Sequence, residues 1–169
     1  VNTGKGGTLK RVAESGHASH SYNGLYFCTL EGEVQPGAGM YQDVDLSPWR
    51  DEIIKGEAKI TCKGWVNSTR YKSRKNPVDG GRVRVEFYDA AGQLINNRTF
   101  DSGEISKNNI SLGQYPRMFW YWLPVGLELY SVPRSAVRVR LINQFFVENG
   151  MGVGGFDGAT CKLHLTKNV

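Results

Sequence analysis

The sequence predicts an all-β fold on three observations. Apolar and polar residues alternate with period two in several runs, clusters of turn residues separate those runs, and helical periodicity is nearly absent. The alternation is clearest toward the C-terminus, where Val137, Val139 and Leu141 alternate with Arg138 and Arg140, and Cys161, Leu163 and Leu165 alternate with Lys162 and His164. A strand with one buried and one wet face requires that pattern. Strands are predicted over residues 9–13, 25–30, 41–46, 58–66, 82–88, 93–100, 118–130, 136–142 and 159–166. Between them lie Gly37-Ala-Gly39, Pro77-Val-Asp-Gly-Gly81, Asp89-Ala-Ala-Gly92, Pro133 and the Gly-rich run 149–155, residues that turn the chain by positive φ, fixed φ or local hydrogen bonds. One short helix is predicted over Ser47–Ile54, with Ser47 as N-cap, Pro48 at the first helical position and acids in the first turn. The predicted core is Ile60, Val83, Val85, Phe87, Val137, Val139, Leu141 and Leu163.

Composition agrees. A chain of 169 residues with 40% hydrophobic content has one domain's worth of apolar surface to bury. No apolar run approaches the ~18 residues needed to cross a bilayer, so no membrane span is expected. No charged-then-apolar leader opens the chain, and the start at Val1 suggests a processed or excised piece. Repeats, low-complexity blocks and linkers are absent from the sequence, so residues 23–169 read as one domain. Residues 1–22, rich in Gly, Ser and His, read as an N-terminal strand or a partly mobile segment.

The usual catalytic patterns are missing. There is no Gly-x-Ser-x-Gly elbow, and Gly4-Lys-Gly-Gly7 lacks the Lys-Ser/Thr pair of a phosphate loop. His17 and His20 lack helical periodicity and a third ligand. Asp43 and Asp45 are two residues apart on one strand face, which gives no control of the acid–base geometry a glycosidase needs. The three cysteines, Cys28, Cys62 and Cys161, have none of the short paired spacings of a zinc site. In phase with Ala58 and Ile60, and with Leu163 and Leu165, Cys62 and Cys161 read as small core residues, with one disulfide left open. No enzyme is expected.

Four blocks stand in order along the chain: Tyr41-Gln-Asp-Val-Asp-Leu-Ser47, Gly56-Glu-Ala-Lys-Ile-Thr-Cys-Lys-Gly-Trp-Val66, Val83-Arg-Val-Glu-Phe-Tyr-Asp-Ala-Ala-Gly-Gln-Leu-Ile95, and the C-terminal pair of strands beginning at Ser131 and Gly154. Together, over about Asn23 to Leu165, they resemble galactose-binding-like jelly-roll domains, the superfamily of many secreted carbohydrate-binding modules, with discoidin-type and F-box-associated domains as more distant relatives. The resemblance implies a two-sheet antiparallel β-sandwich of jelly-roll type, and a first strand beside the last, hence Cys28 with Cys161 as the preferred disulfide. It also implies a structural calcium held by the acid that opens the last strand, here Asp157, completed by Glu31, Glu33 or Asp43. Calcium takes six to eight oxygens in irregular loops. Gly158 stands where family members often carry Asn or Asp, which removes one ligand.

Two features suit a partner. The run Tyr115-Pro-Arg-Met-Phe-Trp-Tyr-Trp122 is dense in rings, and sugar recognition uses flat apolar faces with polar groups around them. On a strand, Trp120 and Trp122 share one face and Phe119 and Tyr121 the other. Trp65 is out of phase with Ile60 and Cys62, so it stands in a groove or at the core edge. The second feature is the loop Thr69-Arg-Tyr-Lys-Ser-Arg-Lys-Asn76, which offers Arg70, Tyr71, Arg74 and Lys75 and is joined by outward Arg82, Arg84, Arg138 and Arg140. With a formal net charge of +5, it fits acidic or sulfated glycans or nucleic-acid phosphate. No helix-turn-helix, finger spacing or RNA-binding aromatic strand is present, so the expected partner is a glycan or glycoprotein and not nucleic acid. The sequence therefore reads as a non-catalytic carbohydrate-binding module, extracellular or secreted. The alternative is a structural or protein-interaction module, and an F-box-associated relative would be cytosolic with reduced cysteines.

Overall fold

The alternation sorts side chains onto two sheets. In the computed structural model the residues described are 6–13, 26–34, 38–69, 80–102, 105–106, 120–146 and 154–166, with side chains described over 38–65, 81–102, 125–144 and 158–166. The strands run β1 (Gly6–Ala13), β2 (Tyr26–Val34), β3 (Gly39–Asp45), β4 (Ala58–Thr69), β5 (Gly80–Tyr88), β6 (Phe100–Asp101), β7 (Ile105–Ser106), β8 (Trp120–Ser131), β9 (Arg138–Phe146) and β10 (Gly154–Leu165). One sheet has the order β1-β2-β10-β4-β8 and the other β3-β9-β5-β6, with β7 also on β5. All the pairings are antiparallel. We refer to them as the β4 sheet and the β5 sheet. The expected two-sheet antiparallel sandwich is what the chain forms.

Between the sheets Ile60, Val83, Val85, Phe87, Val139 and Leu141 are buried, with Leu163 half-buried against them. Phe87 of the β5 sheet stacks on Tyr130 of the β4 sheet with ring centroids 6.0 Å apart. Val137 departs from expectation. It is half-buried in the bend before β9, where its N–H donates to the Tyr88 carbonyl and its own carbonyl accepts from Leu46. Backbone pairing fixes that residue, and Ala136 takes the buried place beside it.

The predicted strand over 93–100 is also corrected. Leu94 makes an isolated bridge to Tyr88, a 3₁₀ turn covers Asn96–Arg98, and only Phe100–Asp101 is strand. The helix occurs as a 3₁₀ turn at Ser47–Trp49 leading into α1 (Arg50–Lys55). Its cap is not Ser47. The Asp45 carboxylate accepts from the Ser47 N–H at 2.9 Å, and that hydrogen bond lowers the Asp45 pKa.

The disulfide joins Cys62 to Cys161, not Cys28 to Cys161. β10 pairs with β4 nearly throughout, placing Cys161 opposite Cys62 with Cα atoms 4.2 Å apart, the close spacing of a non-hydrogen-bonded antiparallel pair. β2 meets β10 only at Gly155 and Phe156, so Cys28 sits opposite Phe156.

Candidate functional site

β4 lies inside its sheet, between β10 and the edge strand β8, and its alternation is strict. Ala58, Ile60, Cys62 and Gly64 are buried, while Lys59, Thr61, Lys63 and Trp65 are exposed or half-buried on the outer face. Trp65 pairs with Pro124 on β8 and with Asp157 on β10. Trp122 and Trp120 stand opposite Asn67 and Thr69, two and four residues further along β4. Register thus puts the positions of Trp65, Trp120 and Trp122 in one two-residue series. The side chains of Trp120, Trp122, Glu33 and Asp157 lie outside the described set, as does the whole loop carrying Arg70, Tyr71, Arg74 and Lys75.

Backbone irregularities shape this face. Gly126, opposite Lys63, has no room for a Cβ, which would run into the Cys62 carbonyl, so the surface beside Lys63 stays bare. Gly158 has φ +58° and sits in a β-bulge between Asp157 and Thr160, a position that favours glycine. That explains why glycine follows Asp157. Asp157 itself is the fourth residue of its strand and not the first, because Gly154 and Gly155 already pair with Ser68 and Asn67. On the other side of β4, a second irregularity holds Leu129 at φ +46°, with its N–H donating to Thr61 Oγ1 at 3.3 Å. His164 Nε2 lies 3.0 Å from the same hydroxyl.

Among the described side chains, the charges of the β4 face are mostly cationic. Lys59, Lys162 and His164 are exposed, with His164 opposite Lys59 and Lys162 opposite Thr61. Lys63 is ion-paired with Glu128.

The outer face of the β5 sheet is built differently. Arg140 donates to Asp43 from Nε at 2.6 Å and from Nη2 at 2.8 Å, and Arg138 approaches the same carboxylate at 3.5 Å. Those bonds hold the Asp43 pKa below 3.8 and raise that of Arg140, the Arg140–Asp43 hydrogen bond being the largest cause of each. Arg140 also lies 4.0 Å from the Tyr41 ring centre, and Arg138 lies 4.4 Å from that of Tyr88. Arg84 pairs with Glu86 at 2.7 Å, and Arg82 with Asp101. The Tyr88 hydroxyl donates to Glu86 at 2.7 Å, and burial, then that bond, raises its pKa. The four arginines expected to reinforce the basic loop do point outward, but carboxylates neutralise them on the opposite sheet.

Of the four acids named for calcium, Asp43 lies in the β5 sheet, and Glu31, Glu33 and Asp157 lie in the β4 sheet. Asp43 has both oxygens on arginines, so the chain does not bring it to the other three. Among the described residues no group of three or more His, Cys, Asp or Glu side chains could hold a metal. A half-open cleft of about 320 Å³ lies between Gln42, Val44 and Leu141 on one sheet and Ala159–Lys162 on the other. Its described lining has no ring for a sugar to stack on, and it contains none of the expected site residues.

No family model matches the chain, and no curated protein does. Solved structures do. The N-terminal CBM22-1–GH10 modules of Clostridium thermocellum endo-1,4-β-D-xylanase 10B, complexed with xylohexaose, align with TM-score 0.57 at 14% identity, over 96% of this chain and 25% of that longer one. The C-terminal family 22 carbohydrate-binding module of the same xylanase aligns with TM-score 0.54 at 12% identity, over 95% and 84% of the two chains. The CBM22-1 xylan-binding domain of Paenibacillus barcinonensis Xyn10C gives 0.51 at 12%, over 100% and 86%. The fold is the jelly roll of carbohydrate-binding modules. At these identities the likeness concerns architecture.

Proposed function

We propose that this chain is a non-catalytic glycan-binding module that reads acidic or sulfated glycans on the outer face of the β4 sheet and the loop that follows β4. The observation that carries the reading is Trp65: a half-buried ring on an outward strand position, in the same register series as Trp122 and Trp120 and one step from the bare surface at Gly126. A ring so placed offers an apolar face to a pyranose while neighbouring polar groups take its hydroxyls. Solved modules of the same architecture, described as xylan-binding, support a glycan as the ligand class. The sequence directly after β4 supplies cations in Arg70, Arg74 and Lys75 and a further ring in Tyr71. A structural calcium at Asp157 belongs to the same proposal, and excess calcium is expected to raise the melting temperature by mass action. The Cys62–Cys161 disulfide favours an extracellular or secreted setting, since such bonds persist in oxidising compartments.

Calorimetric titration with neutral and sulfated oligosaccharides tests the reading. Trp65→Ala is expected to weaken binding by ten-fold or more, roughly the effect of losing a stacked ring, with the melting temperature preserved. Undiminished affinity in that variant removes the β4 face as the site.

A further inference from the structure

Resting on that reading, we infer that the β4 face binds an acidic polysaccharide along its length, as a chain crossing the sheet, and not a single sugar at a loop tip. Along this strand the outward residues are Lys59, Thr61, Lys63 and Trp65, and the facing positions of β10 are His164, Lys162, Thr160 and Asp157. Lys59 and Lys162 are exposed, and neither has a carboxylate partner among the described residues. Between Lys59 and Trp65 the only described acidic side chain on this face is Glu128, held by Lys63. Beyond Trp65 the strand runs to Thr69, and Arg70-Tyr-Lys-Ser-Arg-Lys75 follows directly.

The described cations therefore lie along β4 and β10 to one side of Trp65. Lys59 and Trp65 are six residues apart, about 20 Å at the ~3.3 Å rise of a strand, a span that one pyranose cannot bridge. A polymer carrying carboxylates or sulfates at intervals matches it, because its charges can meet Lys59 and Lys162 while a ring further along the chain stacks on Trp65. A second property of the face favours a chain. It is an open strand surface bared at Gly126. Single-stranded nucleic acid is also a polyanion and stacks its bases on successive rings, but the solved modules of this architecture described as xylan-binding favour a glycan.

The test titrates the whole chain with heparin oligosaccharides of increasing length at two salt concentrations, with xylohexaose as the neutral probe and an oligonucleotide of matched charge. Affinity is expected to rise with heparin length and then level off. The double variant Lys59→Ser, Lys162→Ser should weaken the long fragments about ten-fold and lower the salt slope by about two, one for each lost contact, leaving a disaccharide and the melting temperature unchanged. Affinity independent of length, or a double variant that binds long fragments like the parent, overturns the strip. If xylohexaose still binds in a Trp65-dependent manner, the glycan-binding reading survives that failure. Absence of binding to every glycan overturns both. An oligonucleotide bound as tightly as heparin, with the same loss in the double variant, assigns the strip to nucleic acid instead.

Discussion

Among the described side chains, the two outer faces of this sandwich both carry charge and use it in opposite ways. On the β5 sheet every outward arginine meets a carboxylate: Arg138 and Arg140 share Asp43, Arg84 takes Glu86, and Arg82 takes Asp101. Two tyrosines lie under the guanidinium groups. Among the described side chains of the β4 sheet the cations include Lys59, Lys63 and Lys162, and Lys59 and Lys162 meet no acid among the described residues. Residue type follows use. A guanidinium is a planar fork suited to bidentate pairing and stacking, whereas an ammonium is a mobile point charge. A face whose charges are satisfied internally offers little to a charged ligand, so the difference supports the proposal of recognition on the β4 side.

Both faces rest on one core, and the largest expected effect tests that. Phe87 is fully buried and stacks across the sandwich on Tyr130, so Phe87→Ala should cost about 3–5 kcal/mol, the range for deleting a buried ring. Urea unfolding followed by far-ultraviolet dichroism should give a single transition at lower denaturant. Two separate transitions would mean that the sheets fold independently and that the comparison concerns two units.

The second effect belongs to the β4 sheet alone. Its disulfide closes a loop with a sequence separation of 99, and a cross-link of that length is worth about 2–5 kcal/mol, chiefly by limiting the unfolded chain. Replacing Cys62 and Cys161 with Ala should lower the urea midpoint by a corresponding amount. Equal midpoints for the parent with and without reductant would show that the bond contributes nothing in solution.

The third is confined to the β5 face. Asp43→Asn removes the carboxylate that holds Arg138 and Arg140, at about 1 kcal/mol, since the pair is only partly shielded from water. Its signature is in the pH dependence. Arg140 depresses the Asp43 pKa in the folded state, so the contribution is fully present above the ordinary value of 3.8 and is lost as pH falls through the lower folded value. The variant should therefore lose less stability than the parent on acidification below about pH 4. Glycan affinity should not change, and a loss of affinity would shift recognition to the β5 face.

What could be read from the chain follows the range of each interaction. Burial of Ile60, Val85, Phe87 and Val139 was legible because period two is a local property, and the same phase placed Trp65 outward. Pairing was not legible. Arg140 reads as an outward cation in its own strand, but its acid is 97 residues away, so a neutralised ladder and a basic patch have the same local sequence. The cysteine partner failed for that reason too: in-phase positions identified Cys62 and Cys161 as inward-facing, and only the β4–β10 register opposes them. The Gly-rich run before Phe156 read as a turn because glycine disfavours strands, yet Gly154 and Gly155 pair with β4. The bulge glycine, Gly158, read as a missing ligand, whereas its backbone conformation accounts for it.

The smallest effect separates strain from function on the β4 face. Leu129 is 58% exposed and holds φ +46°, a left-handed conformation that costs an L-residue with a Cβ about 1–2 kcal/mol. Its side chain is too exposed to recover that through packing. Leu129→Gly removes the steric penalty and introduces the entropic cost of a glycine in the unfolded chain, about 0.5–1 kcal/mol, so a net stabilisation of about half a kcal/mol is expected, read as a small rise in the urea midpoint. The Thr61 hydroxyl keeps its backbone donor, because the Leu129 N–H survives the substitution. Sugar affinity should stay at the parent value, since Leu129 is off the series that joins Trp65 to Lys59. A destabilised variant with intact affinity would mean that Leu129 packs on a neighbouring segment. A stabilised variant with weakened affinity would mean that the strained backbone beside Thr61 sets the shape the ligand reads.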